Sequence, residues 1–154
     1  MARKLIQSPL GPLTLTVSEA ALTGIIFGDI QQDSADTPAP LLEQAARELT
    51  EYFAGERRDF TVPLAPEGTA FQKSVWAELR KVPYGETASY KDIAVRLGKP
   101  GAAIAVGQAN SRNPIPIIIP CHRIIGSGGQ MVGYTGGLHI KRTLLALEGI
   151  TCKD

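Results

Sequence analysis

Ile115-Pro116-Ile117-Ile118-Ile119-Pro120-Cys121-His122-Arg123 is an almost wholly apolar run, punctuated by prolines, that ends on a cysteine with a histidine directly after it. Short β-branched runs of this kind fit a fully buried strand, and Pro114, Pro116 and Pro120 exclude an ordinary helix interior. The expectation is a rigid buried segment with Cys121 at its end. Sulfur attacks only as thiolate, and a free cysteine is mostly protonated at neutral pH. A base, a helix N-terminus or a cation must assist it, and His122 and Arg123 are adjacent. Taken alone, a cysteine in apolar surroundings is more often an inert packing residue. The rest of the chain shifts that balance.

The sequence has 154 residues, 44% hydrophobic and 20% charged, which suits a globular protein with one domain or two small ones. The formal net charge of +1 conceals an asymmetry between halves. Residues 1–68 hold 5 Lys/Arg against 10 Asp/Glu, and residues 69–154 hold 11 against 5. A basic half is a hint of polyanion binding. Cys121 and Cys152 make no disulfide framework, and two histidines with two scattered cysteines make no zinc site, so neither metal nor cofactor is expected. The N-terminus lacks the apolar core of a signal peptide, and no run reaches membrane-spanning length. A reducing, cytoplasmic location follows.

Leu13–Val17 and Leu22–Phe27 read as strands, with Gly11-Pro12 and Gly28-Asp29 as flanking turns. Residues 31–40 read as a loop, and Leu41–Phe53 as an amphipathic helix ended by Gly55. Pro63 to Gly68 is the natural boundary. Beyond it Thr69 caps a helix with Phe71, Val75, Leu79 and Val82 on one face. A second helix, capped by Thr87 or Ser89, runs to Gly98, and a third runs to about Asn110. The last pair, over about 87–111, has the pattern of a helix-turn-helix. In the third helix Ala102, Ala105, Val106 and Ala109 form the expected buried stripe, with Ile104 opposite and Ala103, Gly107 and Ser111 on an outward edge. His139 to Gly149 is a final helix with Ile140, Leu144 and Leu147 inward and Glu148 at its end. The fold class is α+β: a β-meander with a helix, then a mostly helical half.

Asn113-Pro114-Ile115-Pro116, Pro120-Cys121-His122-Arg123 and Gly133-Tyr134-Thr135-Gly136-Gly137 together resemble the O6-alkylguanine-DNA alkyltransferases (methylated-DNA–protein-cysteine methyltransferases), whose active-site signature is Pro-Cys-His-Arg. The resemblance is close from about Thr69 to Gly149 and looser before it. It implies a ribonuclease H-like N-terminal domain over 1–66 and a catalytic and DNA-binding domain over 67–154, with the active site at 120–123. It also implies direct-reversal DNA repair. An alkyl (methyl) group would pass irreversibly, once per chain, from O6 of guanine in double-stranded DNA to the cysteine, with the lesion nucleotide flipped out of the stack.

Carried onto matching positions, the family's roles make Cys121 the nucleophile and alkyl acceptor. His122 draws off its proton through a bound water, and Glu148, 27 positions after the cysteine, orients the histidine. Tyr90 donates toward the leaving base, Lys141 lies near the site, and Asn113 braces the active-site turn. Val132, Gly133, Tyr134, Thr135 and Gly136 line the guanine pocket. The recognition helix is implied to enter the minor groove of DNA, with Ala103, Ile104, Gly107, Gln108, Ser111, Arg112 and Arg123 at the interface of a monomer.

One departure stands out. The family places an arginine where this chain has Ile104, and isoleucine keeps an apolar wedge but cannot hydrogen-bond an orphaned base, so weakened activity on duplex DNA is expected. Two rivals carry less: a non-catalytic damage sensor, which would lack the acceptor cysteine, and a cysteine hydrolase, for which adjacent Cys121 and His122 form an awkward pair.

Overall fold

A computed structural model describes residues 2–29, 39–126, 134 and 137–150. The chain divides into two compact units, Met1–Glu67 and Gly68–Asp154.

In the first unit β1 (Ala2–Ser8), β2 (Gly11–Val17) and β3 (Leu22–Phe27) form an antiparallel meander in chain order. Leu13, Leu15 and Val17 alternate inward along the central strand, beneath α1 (Pro40–Phe53), which buries Leu42, Ala45, Leu49 and Tyr52. The periodicity of both elements is visible in the sequence, but β1 is not. It is an edge strand of half-buried residues carrying Arg3 and Lys4, so its alternation is blurred. Gly11 and Pro12, expected as a turn, are the first two residues of β2. A strand's first residues tolerate proline, and the positive φ of Gly11 (92°) lets the hairpin close at the strand's first residue.

The second unit begins with two helices that start on reciprocal caps. Thr69 and Gln72 exchange side-chain and backbone bonds at the head of α2 (Ala70–Leu79), and Ser89 and Asp92 do the same at α3 (Tyr90–Arg96). Each box satisfies two amides that a helix start leaves bare. Gly98, at φ 73°, then ends α3 and allows the chain to turn into α4 (Ala103–Ser111). β4 (Ala88–Ser89) pairs in parallel with β5 (Ile124–Ile125), and this short ladder ties the root of α3 to the chain leaving Cys121. α5 (Leu138–Leu147) completes the unit.

Burial on α4 lies further toward its C-terminus than the sequence pattern indicates. Val106, Ala109 and Asn110 are buried, whereas Ala102 and Ala105 are only partly so. The reason is Trp76 on α2, whose buried indole donates Nε1–H to the Ala109 carbonyl at 2.9 Å and draws that end inward. On α5 the inward face includes Lys141 and Leu145, while Leu147 is half-exposed.

The run 115–119 is not a strand. It is a compact, fully buried set of turns in which Ile119 N–H reaches the Ile115 carbonyl at 3.0 Å. Pro114, Pro116 and Pro120 lack the N–H donors that a ladder requires. Ile117 adopts φ 76°, a region costing a β-branched residue about 1–3 kcal/mol. Its near-complete burial offsets a similar amount. No helix among the described residues is long and apolar enough to cross a membrane.

Trp76→Phe keeps an aromatic side chain, though a smaller one, and removes the bond that fixes α4. It should cost about 1–3 kcal/mol, measured as a lower denaturant midpoint; an unchanged midpoint would show that the indole bond contributes nothing.

Candidate active site

Asn113 builds the turn that presents the cysteine. Its Oδ1 accepts from Ile115 N–H at 2.9 Å, and its Nδ2 donates to the Ile119 carbonyl at 2.8 Å. One buried amide side chain thus stands in for the backbone partners that the prolines deny. The segment then tightens into a single 3-10 turn, Cys121–Arg123, with Cys121 N–H on the Ile119 carbonyl at 2.7 Å.

Cys121 is 2% exposed. Burial pushes its thiol up, and the nearby Asn113 and Tyr134 side chains together with the charge of Lys141 offset part of that rise. The sulfur at rest is therefore a thiol. The cause is desolvation, which penalises the anion. Lys141, fully buried, donates Nζ–H to the Ile124 carbonyl at 2.6 Å, on the strand that follows the turn.

His122 and Glu148 meet at 2.7 Å, Nε2 to Oε2, with both side chains fully buried. Burial holds the imidazole below its usual pKa despite the adjacent carboxylate. The ring is neutral at neutral pH, and since a carboxylate can only accept, its single hydrogen sits on Nε2. Nδ1 is then an unprotonated lone pair, buried and without a partner. That is the arrangement of a waiting base.

Glu148 is held by more than the histidine. Arg123 Nε donates to Oε1 at 2.8 Å and Nη2 to Oε2 at 3.0 Å, the two-pronged geometry that arginine alone provides. Arg123 Nη1 donates to the Val82 carbonyl at 2.8 Å, and the guanidinium lies 5.7 Å from the centre of the Tyr84 ring. Gly85 N–H adds a longer bond to Oε1. Arg123, expected at a DNA interface, is instead a buried structural cation with each of these donors engaged; the carboxylate left alone in an apolar interior would be too costly without it. Sequence reading missed both this role and the 82–85 turn that joins it. The pairing spans 25 positions between Arg123 and Glu148 and leaves no local pattern.

The parallel β4–β5 ladder sets Tyr90, the first residue of α3, close enough to Cys121 for the sulfur's charge to raise its pKa further, beyond the larger effect of burial. Cys121, His122, Glu148, Asn113, Tyr90, Tyr134 and Lys141 therefore converge. Val132, Gly133, Thr135 and Gly136 lie outside the described residues.

On α4 the expected interface residues divide. Ile104 is 82% exposed, and Gln108, Ser111 and Arg112 are also exposed. Ala103 and Gly107 are half-buried, Gly107 lying against the Tyr90 ring. An open cavity of about 530 Å³ runs between the head of α2 and α4, lined in part by Gln72, Gln108, Ser111 and Arg112.

Known proteins resemble this chain along nearly its whole length. Residues 70–150 match the DNA-binding domain of 6-O-methylguanine DNA methyltransferase, and residues 1–66 its ribonuclease-like domain. The methylated-DNA–protein-cysteine methyltransferase of Methanosarcina barkeri is 51% identical over 150 residues, 94% of each chain. The constitutive enzyme of that name from Bacillus subtilis is 42% identical over 157 residues, covering 96% of this chain and 95% of its own. The crystal structure of Mycobacterium tuberculosis OGT in complex with DNA superposes with a TM-score of 0.85 at 48% identity, covering 96% of this chain and 92% of that one. With both family domains matched in order and relatives this similar along nearly the whole length, the chain belongs to the methylated-DNA–protein-cysteine methyltransferases.

Proposed function

We propose that this chain repairs O6-alkylguanine in double-stranded DNA by moving the alkyl group to the sulfur of Cys121. The observation that carries the mechanism is the buried, unpartnered Nδ1 of His122, with its other nitrogen bound to Glu148. In the proposed sequence the Cys121 S–H proton passes through a water to His122 Nδ1. The resulting imidazolium is stabilised by Glu148, in the manner of nucleophile–base–orienter triads. The sulfur attacks the alkyl carbon, an S–C bond forms, and the C–O6 bond breaks with its electron pair going to the guanine. The purine regains one proton, equal to the one the thiol lost. The thioether has no leaving group for water to displace, so each chain reacts once.

Tyr90 is assigned to the leaving guanine. Burial holds its phenol up, so it stabilises the departing anion by a hydrogen bond rather than by giving up its proton. Lys141 adds positive charge beside the sulfur, and Asn113 with Tyr134 steadies the thiolate as it forms. Access to a stacked base requires eversion of the nucleotide. Minor-groove entry of α4 is the reading that fits a small-residue helix carrying one exposed apolar side chain, with Arg112 and Gln108 toward the backbone. A thiol used once must stay reduced until then, which suits the cytoplasm.

Incubation with an O6-methylguanine duplex, followed by intact-mass and peptide analysis, should show one stable methyl adduct per chain, at Cys121. Binding without a mass change, or an adduct elsewhere, would overturn the proposal.

Ile104 limits the duplex reaction in this account. Ile104→Arg adds a charge and hydrogen-bond donors at the wedge, worth about 1–3 kcal/mol. Its gain in rate on duplex should exceed any gain on free O6-benzylguanine by about tenfold. Equal rates on duplex for variant and parent would refute this role for Ile104.

A further inference from the structure

The Tyr90 ring rests on α4 at Gly107, where an added Cβ would stand 3.8 Å from two ring carbons. Asn110 follows Gly107 by three positions, so it projects from nearly the same face. It is 3% exposed, an uncommon place for an amide, since buried polar groups are costly unless bonded. The Asn110 side chain lies within reach of the Tyr90 hydroxyl and acts on its acidity, yet its Oδ1 is buried with no partner. An apolar residue of the same size would fill this space without stranding a carbonyl. What the amide contributes must therefore lie on its donor side.

Resting on the reading of Tyr90 as the donor to the leaving guanine, we propose that Asn110 is a positioning residue: its Nδ2–H donates to the Tyr90 oxygen and turns the tyrosine's own hydrogen toward the departing purine. A phenolic hydrogen lies near the ring plane in one of two opposed orientations. A donor on one side of the oxygen leaves the hydrogen on the other. Were the amide reversed, Oδ1 would gain a partner, but it would take the hydrogen that the reaction uses. The bond also polarises the phenol, acting against the burial that makes it a weaker acid.

The test compares two alkylations of the same sulfur, each read at Cys121 by peptide mass. Transfer from O6-benzylguanine expels a guanine that needs a hydrogen-bond donor; iodoacetamide expels iodide, which does not. Asn110→Leu should slow the first about tenfold more than the second, a fraction of what a positioned proton donor supplies. In a Tyr90→Phe background the same substitution should change the ratio of the two rates by less than twofold, because the group it acts through is gone. Asn110→Asp, equal in size, replaces the donor with an acceptor and should slow benzyl transfer likewise; it carries the test if the leucine variant does not fold. Equal slowing of both reactions, or a tenfold change that persists in the Tyr90→Phe background, overturns the inference. If Tyr90→Phe alone leaves the ratio unchanged, the reading of Tyr90 fails and Asn110 falls with it. If Tyr90→Phe lowers the ratio and Asn110→Leu does not, only the role of Asn110 fails.

Discussion

The Glu148 carboxylate is the point on which this site depends. It lies in an interior with almost no access to water and accepts from His122, from two nitrogens of Arg123 and from Gly85 N–H. A carboxylate so placed is stable only while its lone pairs are matched and its charge is balanced. Arg123 supplies the balance, which leaves the imidazole free to remain neutral. Had the histidine been the sole counter-charge, the pair would favour imidazolium, and the base needed to take the thiol proton would already be spent. One carboxylate thus serves stability through Arg123 and, in the proposed mechanism, reactivity through His122.

The turn that carries the cysteine solves a related problem. Three prolines and a left-handed Ile117 prevent the run 115–119 from becoming either a strand or a helix. Asn113 replaces the missing backbone partners from within. The result is a rigid seat for a sulfur that stays protonated until called on. Burial that disfavours the thiolate also shields it from oxidation and disulfide exchange, which suits a residue used once. In the proposed mechanism Asn113, Tyr134 and Lys141 recover part of that cost as charge develops, which is where preorganised dipoles are most effective.

Much of this was legible in the residues. Periodicity located β2, β3 and α1, the cap at Thr69 marked the start of α2, and that of α3 was narrowed to Thr87 or Ser89, because such signals are local. The Pro-Cys-His-Arg signature, through resemblance, singled out Cys121, His122 and the distant Glu148, and the structure brings the last two into contact. What escaped was non-local. β1 carries too weak an alternation to be read without its partner strand. The inward shift of α4 follows from an indole bond 33 positions away. Arg123 sits in a motif associated with DNA, and nothing short of the fold shows that its charge is committed to Glu148. The β-branched run 115–119 has the composition of a strand, and only the tally of missing N–H donors argues otherwise.

The central claim is that His122 waits as a neutral base with its hydrogen on Nε2 and its lone pair on Nδ1. Nitrogen-15 NMR of the histidine ring in the intact, unalkylated chain, followed from neutral to acid pH, tests it directly. Because burial depresses the folded pKa below the ordinary value of about 6.5, the Nδ1 signal should stay that of an unprotonated nitrogen through that value. It should change only at more acid pH; the stability linked to the neutral ring falls earlier, from about 6.5 down to that lower pKa. An imidazolium at neutral pH, or a hydrogen on Nδ1 in place of Nε2, would contradict the account.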